Sequence, residues 1–284
     1  MGIDLHVHTE ESDGILSVNE VLKLASERGI EALSLTDHET THGVELAQKV
    51  KDKYKIKVVP GVELVTAYED KEVHLLGYFE ESCLVNLQLQ DRLKELRLQR
   101  TAIAYDMVKR LQQEGLSVKW SEVEKAANPE GTVSKGHIMH AIHDLSKELP
   151  WKVIASLFQP GGAAYLPFLK HPFAEAVDLI YSCGGIPVLA HPGLIKDLKV
   201  VNQLLAERPI GLEVYYGYWE KRETLIKEFE ALGREKATLI TGGSDFHGPF
   251  SRVTLGQIDV PDECLENLEI GIKSTFQTKT KVSF

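Results

Sequence analysis

Six histidines and three carboxylates stand where a folded chain could gather them around cations. His6 and His8 lie two residues apart, as do Asp245 and His247. On a strand, residues i and i+2 face the same way, so each pair projects into one space. Asp37-His38 follows a short apolar run, Glu63 follows Pro60-Gly61, His74 lies within Val73 to Phe79, and His191 follows Ala190. Asp13 sits in the Ser12-Asp13-Gly14 loop after the first run. Neutral imidazoles and carboxylates are ordinary ligands of Zn, Mn and Fe, and one ion takes roughly four to six donors. The set His6, His8, Asp13, His38, Glu63, His74, His191, Asp245 and His247 exceeds that need. It suits two or three divalent ions, with Glu63 able to bridge.

The elements that must position these side chains alternate along the chain. Ile3 to His8 has a period of two and reads as a strand. Val18 to Arg28 has helical apolar spacing, with Ser17 as its cap and Gly29 as its stop. Ala32 to Leu35 reads as a strand, Gly43 to Lys53 as a helix and Val58 to Val65 as a strand. Val73 to Phe79 is a fourth strand, joined to the third through the polar Tyr68-Glu69-Asp70-Lys71 turn. The alternation resumes with a helix at Ala174 to Tyr181, a strand at Ile186 to Ala190 and a helix at Val200 to Glu207. Leu212 to Tyr216 is a strand, Glu220 to Leu232 a helix and Thr238 to Thr241 a strand. This grammar predicts an α/β fold, a barrel of mostly parallel strands with its site at their C-terminal ends.

The middle breaks the pattern. Leu84 to Leu111 reads as a helix whose stripe of Leu89, Leu93, Leu96, Ile103 and Met107 is interrupted by Arg100, and Gly115 closes it. Asn128-Pro129-Glu130-Gly131 is a turn, His137 to Leu145 another helix and Gln159-Pro160-Gly161-Gly162 a loop. We therefore expect an inserted helical subdomain at 100–170, with the barrel built discontinuously from 1–99 and 171–284.

Composition narrows the function classes. With 43% apolar and 26% charged residues the 284-residue chain is an ordinary globular protein, which excludes bulk disorder. Its net charge of −10 argues against a partner such as long duplex nucleic acid. A local cationic pocket remains open to it, and bound metal ions would supply one. Cys83, Cys183 and Cys264 form no paired or metal-binding spacing, so free thiols in a reducing compartment are expected. The uncharged stretch from Leu179 to Ile195, broken by Gly184-Gly185, Pro187, His191 and Pro192, falls short of the ~20 apolar residues of a membrane span. The first residues carry no basic and apolar leader pattern. A cytoplasmic protein without a membrane partner, compatible with a monomer, is the expectation.

His6-x-His8, Asp13-Gly14, Thr36-Asp37-His38, Pro60-Gly61-x-Glu63, His74-x-x-Gly77, Ala190-His191-Pro192 and Gly243-Ser244-Asp245-x-His247 occur in order on both flanks of the helical stretch. This series resembles the signature of the PHP (polymerase and histidinol phosphatase) superfamily. The resemblance implies a distorted (β/α)7 barrel with a trinuclear metal site. His6, His8, Glu63 and Asp245 would hold one ion, Asp13, His38 and His247 a second, and Glu63, His74 and His191 a third. Manganese is the first expectation, with iron or zinc next. The insert, lying between the His74 strand and Ala190-His191-Pro192, is placed as in the branch of nucleoside 3′,5′-bisphosphate phosphatases. Some of that branch act as 5′-to-3′ exoribonucleases on short RNA. Ser134-Lys135-Gly136-His137 resembles its basic-x-His segment. Lys135 stands where Arg is expected, which keeps the charge and loses planar bidentate phosphate recognition.

The implied activity is that of a metal-dependent phosphoesterase. It would remove the 3′-phosphate of nucleoside bisphosphates or trim short 5′-phosphorylated RNA, through metal-activated hydroxide attack on phosphorus. Asp37 is expected to orient an imidazole or to cap the strand end, and His191 or His247 to protonate the leaving group. Ser134, Lys135 and His137 would grip a second phosphate. Arg100 would either pair with a buried acid or reach the site. Tyr216, in an aromatic run ending at Trp219, could stack a base, and Arg252 is a further phosphate candidate. The alternatives are a small-molecule phosphatase such as one acting on histidinol phosphate, an amidohydrolase, or a non-catalytic metal-binding regulatory module.

Overall fold

Short apolar strands, each too narrow to bury its own faces, close into one curved sheet. The computed structural model describes residues 2–128, 131–168, 170–218, 221–249, 251 and 253–282, with side chains to residue 278. Its strands are β1 (Gly2–Val7), β2 (Ile30–Leu35), β3 (Lys57–Tyr68), β4 (Lys71–Tyr78), β5 (Ile186–Leu189), β6 (Gly211–Tyr216) and β7 (Ile240–Gly243). They pair in sequence order. The barrel helices are α1 (Val18–Glu27), α2 (His42–Tyr54), the start of α3 (Leu87–Gln113), α7 (Phe173–Ser182), α8 (Leu198–Glu207), α9 (Arg222–Lys236) and α10 (Asp262–Val282). Between them lie α4 (Trp120–Ala126), α5 (Lys135–Leu145) and α6 (Trp151–Ser156).

Local chemistry sets these elements. Ser17 accepts from the Glu20 amide while Glu20 accepts from the Ser17 amide, and this reciprocal cap fixes the start of α1, which buries Val18, Val21, Leu22 and Ala25. The barrel seam closes behind β7. The Asp245 amide donates to the His6 carbonyl at 2.8 Å and the His8 amide to that of Phe246 at 2.9 Å. Gly243 permits this approach, because a Cβ there would lie 2.4 Å from the His6 nitrogen.

The sheet is mostly parallel, as expected, and β4 is the exception, antiparallel to both β3 and β5. A turn as short as Glu69-Asp70 cannot carry a chain back for parallel pairing. Glu63 therefore lies within a strand that continues to Tyr68, rather than at a strand end. His74 lies near the start of β4 and still reaches the same mouth, because its strand is reversed. Three helices, α4, α6 and α10, were not anticipated. In α10, Cys264, Leu265, Leu268 and Ile272 are buried against the barrel.

The long helix α3 joins two hydrophobic cores. Leu89, Leu93 and Leu96 belong to the barrel core, whereas Ala104, Met107, Val108 and Leu111 join a second core that runs to Ala164 through Val123, Ile138, Ile142 and Ile154. All three cysteines are buried. Among the described residues, no helix is long and apolar enough to cross a membrane.

Candidate metal centre

The barrel mouth draws the nine anticipated ligands together. His6, on β1, and His8, just past its end, have their Nε2 atoms 3.2 Å apart. The His8 Nε2 lies 3.1 Å from both Glu63 Oε2 and Asp245 Oδ1, and these four residues form one group able to hold an ion. A second group joins His8, Asp13, His38 and His247, with His247 Nε2 3.3 Å from Asp13 Oδ1. In a third, His38, Glu63 and His74 converge, and His74 Nδ1 lies 2.9 Å from Glu63 Oε1. His191 Nε2 approaches that same oxygen at 3.2 Å. Glu63 thus faces donors on both oxygens, as a bridging carboxylate must. The backbones of His191 and Asp245 take positive φ values of 27° and 53°, the kind of strain that persists where surrounding structure imposes it.

Donor chemistry fits divalent cations. Asp13 Oδ1 and His38 Nδ1 are buried without a hydrogen-bond partner, which is costly unless something else takes their lone pairs. Burial opposes charge on every group here. On Glu63 that penalty is outweighed by the imidazoles of His38, His6 and His74, which hold the carboxyl well below its usual range. Asp13 and Asp245 are lowered in the same way by facing histidines. Burial of His8 is outweighed by its contacts with Asp245 and Glu63, which push it up to about 10, and the Glu63 carboxylate raises His74 to about 9. His38 moves down, because burial there exceeds the pull of Glu63 and Asp13. A bound cation supplies the positive charge that protons otherwise bring to such a cluster.

A second layer of side chains fixes the first. Glu213, fully buried on β6, holds His6 Nδ1 at 2.9 Å and accepts the His191 amide at 2.7 Å. Asp4 accepts the amides of Ser244 and Gly256, both at 2.8 Å, and so ties down the loop carrying Asp245. Neither acid was anticipated from the sequence. Asp37 does not point into the cage. Its carboxylate accepts from the Thr9 amide, the Thr9 hydroxyl and the Ser12 hydroxyl, which places the Asp13 loop, so it is a positioning residue rather than one that touches reacting atoms. Tyr216 is likewise drawn inward. Its hydroxyl donates to Asp245 Oδ2 at 2.8 Å and its ring packs on those of His191 and Tyr218, which leaves little face for a base.

The helical segment approaches this mouth through polar links. The Ser134 hydroxyl donates to Asp13 Oδ2 at 3.1 Å and caps the Gly136 amide. Lys135 Nζ sits 2.7 Å from Glu72 Oε1, and that carboxylate lies 3.7 Å from His74 Nε2. His137 Nδ1 accepts the Ser134 amide, so this ring is engaged in closing its own helix start. Arg100 takes the first of the two roles considered for it: its Nε lies 3.2 Å from the buried Glu39 Oε2, and it also lines a cleft with Ser134, Lys135, Glu72 and Met107. Arg252 and Trp219 lie outside the described residues, as do Pro129 and Glu130 of the anticipated turn.

Comparison with known proteins agrees with this chemistry. The PHP domain matches residues 4–178. The chain is 28% identical over 262 residues to the 5′-3′ exoribonuclease Rnm of Salmonella typhimurium, covering 89% of this chain and 88% of that one. It is 30% identical over 260 residues to the phosphoribosyl 1,2-cyclic phosphate 1,2-diphosphodiesterase of Eggerthella lenta, covering 88% and 95%. A solved structure of an amidohydrolase from Chromobacterium violaceum, with bound sulfate and no metal, superposes with a TM-score of 0.82 at 27% identity over 95% of this chain and 97% of that one. With its donor set gathered at one barrel mouth, the chain belongs to the PHP domain family and is a metal-dependent phosphoesterase.

Proposed function

We propose that the enzyme removes the 3′-phosphate of nucleoside 3′,5′-bisphosphates and trims short 5′-phosphorylated RNA, using three divalent ions, manganese first. One observation carries this reading: Lys135 and Arg100, the cations among the described residues that line the cleft with Glu72 and Met107, stand beside Ser134, whose hydroxyl donates to the cage residue Asp13. His6, His8, Glu63 and Asp245 would hold one ion, Asp13, His38 and His247 a second, and Glu63, His74 and His191 a third. The chemistry such ions supply when bound is a water acidified toward neutral pH and a phosphoryl group made electrophilic.

The protein's own side chains do the rest. Glu213 keeps His6 in one ring orientation. Asp37 and Asp4 hold the two loops that carry Asp13 and Asp245. His191 or His247, at the edge of the cage, would protonate the leaving alkoxide. Residues 100–170 act as a helical insert covering the mouth, with Ser134 and Lys135 holding the phosphate that does not react.

The E. lenta relative favours a second reading, a cyclic phosphodiesterase. Rates on adenosine 3′,5′-bisphosphate, a 5′-phosphorylated RNA pentamer, phosphoribosyl 1,2-cyclic phosphate and histidinol phosphate, each with Mn²⁺, separate these. Preference for either of the first two supports the proposal. Preference for the cyclic ester or for histidinol phosphate overturns it.

A further inference from the structure

Tyr216 ends β6 and pairs with Gly243 of β7, two residues before Asp245. It is 6% exposed, and its hydroxyl donates to Asp245 Oδ2 at 2.8 Å. The other oxygen of that carboxylate meets the cage. Asp245 Oδ1 lies 3.1 Å from His8 Nε2, 3.3 Å from His6 Nε2 and 3.6 Å from His247 Nδ1. Asp245 is thus divided between a phenol and the ligand cluster, whereas both oxygens of Glu63 face imidazoles.

Both partners are held from behind. The Asp245 backbone keeps its positive φ with its amide bonded to the His6 carbonyl. The Tyr216 ring packs on those of His191 and Tyr218, with centroids 5.4 and 4.9 Å away. Tyr218 is seated in turn. Its hydroxyl accepts the Gly193 amide at 3.2 Å, and a Cβ at Gly193 would lie 2.5 Å from its ring.

A carboxylate can bind a cation through one oxygen or through two. A catalytic ion must keep a place for water or substrate. A second oxygen from Asp245 would fill such a place. A hydrogen bond that occupies that oxygen keeps it away and fixes the ligand's orientation.

We propose that Tyr216 is a positioning residue that reserves Asp245 Oδ2, so that Asp245 ligates its ion through Oδ1 alone and one coordination place stays open. This rests on the assignment of Asp245 as a metal ligand and gives the phenol beside it a task in the same reaction.

Tyr216→Phe keeps the packed ring and removes the hydroxyl, which frees Oδ2 to turn onto the ion. Water-proton relaxation per bound Mn²⁺ should then fall, because fewer waters remain on the metal. The value of kcat should drop by about 10- to 100-fold, as for loss of a partner behind a metal ligand. Mn²⁺ affinity in titration calorimetry should hold or rise. A merely structural support would lower affinity together with activity and leave relaxation per bound ion unchanged, and that result would overturn the proposal. Crystals of wild type grown with Mn²⁺ give a check that needs no variant. One Asp245 oxygen on the metal and the other on the Tyr216 hydroxyl is the expected arrangement. Both oxygens on the metal would overturn the role of Tyr216 and leave the metal centre standing. Manganese bound in the cage without Asp245, or not bound there at all, would overturn the ligand assignment and the proposal with it.

Discussion

The barrel mouth and the helical segment above it hold their polar groups by different means. At the mouth several ligands are backed by a second buried group: Glu213 behind His6, Tyr216 behind Asp245, Asp37 behind the loop of Asp13. The helical segment has its own hydrophobic core and meets the mouth through a few side-chain links, among them Ser134 to Asp13, Lys135 to Glu72, Asn128 to Glu11 and Arg100 to Glu39. Ligands need fixed geometry, whereas a substrate must enter and leave. On the proposed function, bond breaking would belong to the barrel and the choice of substrate to the segment above it.

Substitutions can break this division. The largest effect is expected at Glu63→Gln, which removes the charge that all three ligand groups share or border. Hydrolysis should fall by well over the ~100-fold that loss of an outer-shell partner typically costs, as read by steady-state rates with Mn²⁺. Glu213→Gln should lower Mn²⁺ affinity by roughly 10- to 100-fold in titration calorimetry while thermal unfolding without metal changes little. A variant above the mouth should behave differently. Lys135→Ala should raise KM for the bisphosphate about tenfold, the loss of one charge-assisted bond, and leave kcat near wild type. A large fall in kcat there would erase the division.

The smallest effect concerns the seam where the helical segment returns to the barrel. His171 is buried there, and desolvation pulls it down to about 4, with Arg92 acting in the same direction. Between pH 6.5 and about 4 the unfolded chain binds a proton that the folded chain refuses, so stability falls as pH falls across this window. His171→Gln should flatten that slope in denaturant unfolding and leave activity at pH 7 unchanged. An unaltered slope would contradict the burial argument.

The ligands were legible because short motifs carry them: pairs at i and i+2, and single polar residues at the ends of apolar runs. Their supports were not. Glu213 and Tyr216 stand three apart on β6, and strict alternation would put them on opposite faces. A register irregularity between Glu213 and Tyr215 turns both inward, one onto His6 and the other onto Asp245. Asp4 shares the period-two face of His6 and His8, but its support of the loop after β7 depends on the Ser244 and Gly256 amides, which only the folded chain brings to it. The direction of β4 depended on a turn, which hydrophobic spacing does not report. Helix α10 carries a plain amphipathic pattern, yet no strand follows it to complete the alternation that revealed the others.

Anomalous diffraction at the manganese edge, from crystals grown with Mn²⁺, tests the central claim most directly. The account predicts at least two peaks inside the mouth with the Glu63 carboxylate between them and His6, His8, Asp13, His38, His74, His191, Asp245 and His247 around them. No peak among these side chains, or manganese bound only elsewhere on the surface, would contradict it.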